Sequence, residues 1–148
     1  MGELLQGGIV FYSGATVLIA ALKDIELSLC WGCYKTAVSG TSTAVGTGSA
    51  NTTKIISVCT GYTMIAANVC SNYSYSGYSD WFLPSKDELI LMNTNLGSQG
   101  LGNFASASYY SSSESSSTGA WGYAFGYGYV SGPGKSGYPY YVRAVRAF

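Results

Sequence analysis

The last forty residues constrain the fold more than any other part of the chain. Residues 109–148 hold 8 of the 14 tyrosines. Most of the positions between them are Ser or Gly. The stretch then closes on Tyr141-Val142-Arg143-Ala144-Val145-Arg146-Ala147-Phe148. A structureless low-complexity tract does not end on a patterned strand, so the segment reads as a recognition surface displayed on a rigid scaffold. In Trp121, Tyr123 and Phe125, large aromatics alternate with small residues, the two-residue period of a strand. Strands are expected over 109–113, 120–125, 126–130 and 141–148. Val142 and Val145 differ in parity, so the last strand either carries a bulge or has both faces covered.

The preceding chain mixes strands and helices. Residues 7–12 and 15–22 form a hairpin around Ser13-Gly14, and 27–31 a third short strand. Residues 39–49 are a Ser/Thr/Gly/Ala loop with little core to offer. Asn51 is a candidate N-cap for a helix running to Val58, with Gly61 as its breaker. Thr63 caps a second helix whose Ile65, Ala66, Val69 and Cys70 recur at helical spacing. Trp81-Phe82-Leu83 is a short buried strand. The clearest local signal follows it. Ser85 and Glu88 make an S-x-x-E capping box, in which each side chain satisfies a backbone donor of the helix start. That helix buries Leu89, Met92 and Leu96 and stops at Gly97. The sum is an α+β chain, with two to three helices and a twisted antiparallel sheet built from both ends. A length of 148 residues fits one domain over residues 1–148 with a real core.

Composition narrows the function. Seven Lys and Arg balance seven Asp and Glu, so no electrostatic footprint for nucleic acid or an anionic membrane exists. No apolar run reaches the ~20 residues that span a bilayer. The chain has no histidine, which removes the usual general base, the usual zinc ligand and the Ser-His and Cys-His dyads together. The seven acids are scattered without metal-loop spacing. The expectation is therefore no enzyme, no cofactor and no metal site. Arg143 and Arg146 are read as structural cations paired with Glu114 or Asp80.

Cys30-Trp31-Gly32-Cys33 is formally a C-x-x-C, but it ends a strand rather than opening a helix, so a redox role is disfavoured. Cys59 and Cys70 are too far apart for a zinc pair. One or two disulfides fit better, with Cys33–Cys59 stapling the loop to the following helix, and buried free thiols are the alternative. A disulfide implies an oxidising, extracellular setting. Met1-Gly2-Glu3 is not the charged start of a signal peptide, so export is expected to rely on a signal or a larger protein outside this sequence.

Seven motifs in fixed order carry a resemblance. They are GGIVFY at 7–12, WGCY at 31–34, SGTSTAVGTG at 39–48, GYSDWFLPSKDEL at 77–89, YYSSSE at 109–114, Ala120-Trp121 and VRAVRAF at 142–148. The chain resembles the bacterial and phage domain found at the C-terminus of collagen-like adhesins and in Fibrobacter-type paralogous proteins. The resemblance implies a C-type-lectin-like (formylglycine-generating-enzyme-like) fold. It also implies kinship with the variable proteins of diversity-generating retroelements, in which adenine-directed mutagenesis of Asn-type codons rewrites surface positions. Such a codon yields Tyr, Ser, Gly, Asp, Ala, Pro and Val among others, but not Lys, Glu, Gln, Trp or Met. Apart from Lys135, residues 122–140 hold only Gly, Tyr, Ser, Ala, Val, Pro and Phe.

On this resemblance, a variable region spans 109–141. The expected ligand-binding positions are Tyr110, Gly122, Tyr123, Ala124, Gly126, Tyr127, Tyr129, Ser131, Ser136, Tyr138 and Tyr140, with Gly132, Gly134 and Gly137 also exchangeable. Trp121, Phe125, Gly128 and Lys135 stand between them as anchors. Two departures matter. Tyr110 occupies a place where the family motif has Trp, and the cysteine nucleophile of the formylglycine-generating enzymes is absent, so that activity is not carried over. The expected function is a non-catalytic receptor or adhesin module with a hypervariable Tyr/Ser/Gly surface. It would bind a protein or glycan on a cell surface, from a bacterial surface or a phage tail, with self-association known in relatives. The alternative is a fixed adhesin or lectin domain that binds glycans.

Overall fold

The computed structural model describes residues 1–25, 29–136 and 140–148. Among these residues, two antiparallel sheets and three α-helices make the chain α+β, a C-type-lectin-like arrangement. The first sheet has the order β1 (Leu4–Leu5), β2 (Gly8–Ser13), β3 (Val17–Ala21), β7 (Val145–Ala147). The second has the order β4 (Ser108–Glu114), β5 (Ala120–Ala124), β6 (Tyr129–Ser131). The single sheet expected from sequence is thus two. The N-terminal hairpin and the C-terminal strand do share one, with Leu18 opposite Ala147 and Ala20 opposite Val145.

Strand alternation explains how the first sheet works. Val10, Ile19, Ala21 and Ala144 belong to one buried cluster, which also contains Trp31, Ile55, Leu83 and Tyr110. Their neighbours Ile9, Phe11, Leu18, Ala20 and Val145 belong to a second, with Leu89, Met92, Tyr109 and Phe125. Side chains two apart share a face, so the sheet is covered on both sides. Residues 142–146 are all buried, and this settles the parity puzzle of the last strand. Val142 bridges Ile25 and Tyr141 bridges Tyr109 before the β3–β7 ladder begins.

Several local expectations are corrected. Helix α1 is Gly48–Val58, with Thr47 and not Asn51 at its N-cap. Asn51 lies inside the helix, buried, because its amide has distant partners. It accepts from the Ser42 N–H (2.9 Å) and donates to the Ser42 carbonyl (2.7 Å) and Ser112 Oγ (3.2 Å). Helix α2 is Ala66–Ser71, capped at Ile65 and not Thr63. Of the expected strand at 27–31, residues 27 and 28 lie outside the described residues, and Cys30 makes one parallel bridge to Ile65. Phe82 pairs with Val145 through one bridge and not as part of a longer strand. Residues 126–128 are turn, because Gly126 (φ 83°) and Gly128 (φ 74°) adopt a backbone that breaks a strand.

The capping box forms as expected at the start of α3 (Lys86–Asn95). Glu88 does more than cap. Its carboxylate accepts from the N–H groups of Ser85 (2.8 Å), Gly46 (2.8 Å) and Gly48 (3.4 Å). Burial pushes its pKa up, and those same hydrogen bonds oppose the shift. A side chain on Gly48 would sit 2.4 Å from Glu88 Oε2 and 2.9 Å from the Leu83 carbonyl, so only glycine fits there. The 39–49 loop, expected to contribute little, is therefore tied to α3. Its Thr43 carbonyl also accepts from the Asp87 N–H, and its Ala44 carbonyl from Ser85 Oγ.

Candidate ligand-binding surface

The expected recognition stretch divides sharply by depth. Ser111, Ser112 and Ser113 look like surface residues by composition, yet all three are fully buried. Each hydroxyl has a partner. Ser111 Oγ donates to the Trp121 carbonyl (2.6 Å), Ser112 Oγ accepts from Asn51, and Ser113 Oγ donates to the Ser42 carbonyl (2.8 Å). Trp31 Nε1 donates to the Ser111 carbonyl at 2.6 Å. A satisfied buried hydroxyl is tolerated where an unsatisfied one is not. This serine run is a polar spine joining β4 to the 39–49 loop and α1.

Five of the expected ligand-binding positions are also inside. Tyr110, Gly122, Tyr123, Ala124 and Ser131 are buried, which corrects their placement on the surface. Tyr110 packs in the first core with Tyr140, ring centroids 5.0 Å apart, so it fills the place of the family's Trp as a core residue. Burial pushes its phenol pKa up. Tyr123 meets Phe125 edge-on, and Phe125 lies 4.5 Å from the Tyr109 ring. Gly122 has no room for a side chain. A Cβ there would sit 2.7 Å from the Tyr109 carbonyl and 2.9 Å from Ser131 Oγ.

What remains outside is the β5–β6 turn and its flanks. The Gly128 N–H returns to the Ala124 carbonyl at 2.9 Å. This turn lifts Tyr127 (69% exposed) and Tyr129 (56%) into solvent, with rings 6.3 Å apart. Gly126, Val130 and Gly132 are exposed beside them, and Ser136 and Tyr140 are half-buried. Tyr138 and Gly137 lie outside the described residues. Gly126 is less exchangeable than its exposure suggests, since its left-handed φ is joined by a contact of 2.3 Å between an added Cβ and Ser106 Oγ.

Buried cations hold this region in place. Lys135 is fully buried, pairs with Glu114 at 2.6 Å, donates to the Thr36 carbonyl at 2.7 Å and lies 4.8 Å from the Trp31 ring centre. Lys135 takes Glu114, and Arg143 pairs with Asp24 at 2.6 Å and donates to the carbonyls of Ala21 and Gly102. Asp24 also accepts from the Tyr109 hydroxyl, and burial together with that carboxylate raises the Tyr109 pKa. Arg146 pairs with Asp80, as expected, and stacks over Tyr78. Cys33 and Cys59 form a disulfide across a separation of 26 residues, while Cys30 and Cys70 are free thiols. Burial pushes the Cys70 thiol pKa up. Among the described residues, no helix is long and apolar enough to cross a membrane.

A scan of family models matches residues 20–146 to the Lcl C-terminal domain. The chain belongs to the Lcl C-terminal domain family. The match covers the second sheet, the three helices and the Tyr127–Tyr129 turn, and of the first sheet only the end of β3 and most of β7; it supports a lectin-like adhesin module. No curated protein matches the sequence.

Proposed function

We propose that this Lcl-type domain is a non-catalytic ligand-binding module whose contact surface centres on Tyr127 and Tyr129. The observation that carries the reading is the pairing of two neighbouring, strongly exposed tyrosines with a turn whose supports are buried. Tyr offers large amphipathic area with few torsions to freeze, and Gly and Ser supply room and adaptable hydrogen bonds. A central Tyr of such a surface is worth about 2 kcal/mol or more of binding. The ligand is a protein or glycan on a cell surface, met from a bacterial surface or phage tail. Retroelement diversification acts on the exposed positions and spares the serine spine and Gly122.

Two experiments test this. Fluorescently labelled domain is applied to a panel of bacterial cells, and Tyr127→Ser with Tyr129→Ser abolishes the binding. Unchanged binding by the folded double variant refutes the surface. In the source genome, a template repeat and reverse transcriptase with mismatches confined to template adenines are expected. Mismatches at buried codons as often as at exposed ones refute the diversification. A fixed adhesin for sulfated glycans is less favoured, because Lys135, Arg143 and Arg146 are all buried or engaged by carboxylates.

A further inference from the structure

A groove runs between the C-terminal end of α3 and the β5–β6 turn. Its larger chamber, about 490 Å3, is bounded by Asn93, Gly97, Gly126 and Tyr127. A smaller chamber of about 170 Å3 shares Asn93, Gly97 and Gly126 and is walled by Phe104 and Phe125. The larger volume is within the range of roughly 300–1,000 Å3 typical of small-molecule sites.

Asn93 at the floor is the unusual residue. It is 7% exposed, and its Oδ1 has no hydrogen-bond partner among the described residues. Buried acceptors are rarely left unmet. The space in front of this oxygen is kept open by Gly97. A Cβ there would stand 2.8 Å from Asn93 Oδ1 and 3.1 Å from the Phe125 ring. Gly97 has an ordinary φ, so backbone conformation does not demand a glycine. The missing side chain serves the space.

We propose that this groove binds a neutral sugar unit, with a sugar hydroxyl donating to Asn93 Oδ1 and the sugar's apolar face against the Tyr127 ring. No described residue lining either chamber carries a charge, so a sulfated or phosphorylated unit would enter without a counter-charge, which is costly. Aromatic walls with one fixed acceptor suit a polyhydroxylated ring. The inference rests on the ligand-binding reading above and gives that surface a substrate class. It uses Asn93 and Gly97, which lie outside the stretch of exchangeable residues.

The test is a chemical-shift titration of the 15N-labelled domain with methyl glycosides of glucose, galactose and N-acetylglucosamine, and with galactose 6-sulfate. Saturable shifts confined to the Asn93 side-chain amide, Gly97, Gly126 and Gly128 are expected with a neutral glycoside, in the millimolar range. Asn93→Leu weakens that binding about tenfold or more without lowering the melting temperature, since it removes an unmet acceptor. A merely structural Asn93 would lower it. Ser106→Leu, at an exposed position on the rim, narrows the mouth and provides the same readout if Asn93→Leu does not fold. The proposal is overturned by shifts elsewhere, by tighter binding of the sulfated sugar, by binding that survives both variants, or by no sugar-dependent shift, which would leave Oδ1 to an ordered water. Cell binding that is lost in the Tyr127/Tyr129 variant but retained in Asn93→Leu would sink the groove alone and leave the module's function standing.

Discussion

Breaking the Lys135–Glu114 pair is expected to destabilise the domain far more than removing it whole. The charges lie 2.6 Å apart, with the Lys135 side chain inaccessible and Glu114 only 12% exposed. At an effective dielectric of about 20, two unit charges at that separation attract by about 6 kcal/mol. Desolvation costs several kcal/mol for each ion, so the intact pair contributes little net stability. The singles are different. Glu114→Gln leaves a buried ammonium with neutral partners only, the amide oxygen, the Thr36 carbonyl and the Trp31 ring. That should cost about 3–5 kcal/mol, or roughly 10 °C of melting temperature for a domain of this size. The double variant Lys135→Met, Glu114→Gln keeps the volume, retains an acceptor for the Val38 N–H, and should return most of the loss. Urea unfolding of the four proteins, with the disulfide intact, gives the coupling energy. Additive losses, or a single-variant cost below about 1 kcal/mol, would refute the assignment of Lys135 to the buried scaffold.

Four further outcomes follow from the same geometry. Gly122→Ala should cost about 1–3 kcal/mol by overpacking against the Tyr109 carbonyl. Tyr127→Ser should stay within about 0.5 kcal/mol of the parent, and thermal melts of the two variants decide whether buried and exposed positions differ in this way. Replacing Cys33 and Cys59 by Ser opens a loop of 26-residue separation, for which chain entropy predicts a loss of about 3.5 kcal/mol. A midpoint unmoved by the replacement would contradict it. Glu88 has a folded pKa above its ordinary value of 4.5, so the folded state holds its proton more tightly than the unfolded state. Its contribution to stability is therefore full below that value and declines as pH rises through the folded pKa. Glu88→Gln should flatten this part of the stability–pH curve, measured by denaturant midpoints in mildly acidic buffers, against the parent's slope.

The α+β class, the hairpin, the capping box and the family were all legible in the sequence, because each is written in local spacing or in the order of motifs. The Ser85–Glu88 box needs only residues three apart. The alternation in Trp121, Tyr123 and Phe125 is a local property too, although it cannot say which face is buried. Asn51 was misread for the opposite reason. Its cap-like chemistry is spent on Ser42 and Ser112, 9 and 61 residues away. Nothing in the neighbouring sequence signals those partners. Likewise the choice of Asp24 over Glu114 by Arg143 spans 119 residues.

The sequence by itself determined the alphabet of the C-terminal stretch and the periods of its strands. Tertiary structure alone decided which letters face solvent. Ser111, Ser112, Ser113 and Gly122 look interchangeable with Tyr127 and Tyr129 by composition. They are buried because each polar group finds a partner brought in by a distant segment, or because no volume remains for a side chain. Tyr127 and Tyr129 stay outside because a turn held by hydrogen bonds from the Tyr127 and Gly128 N–H groups to the Ala124 carbonyl carries them past the edge of the core. Burial is a sum over the whole chain, and no local window contains it.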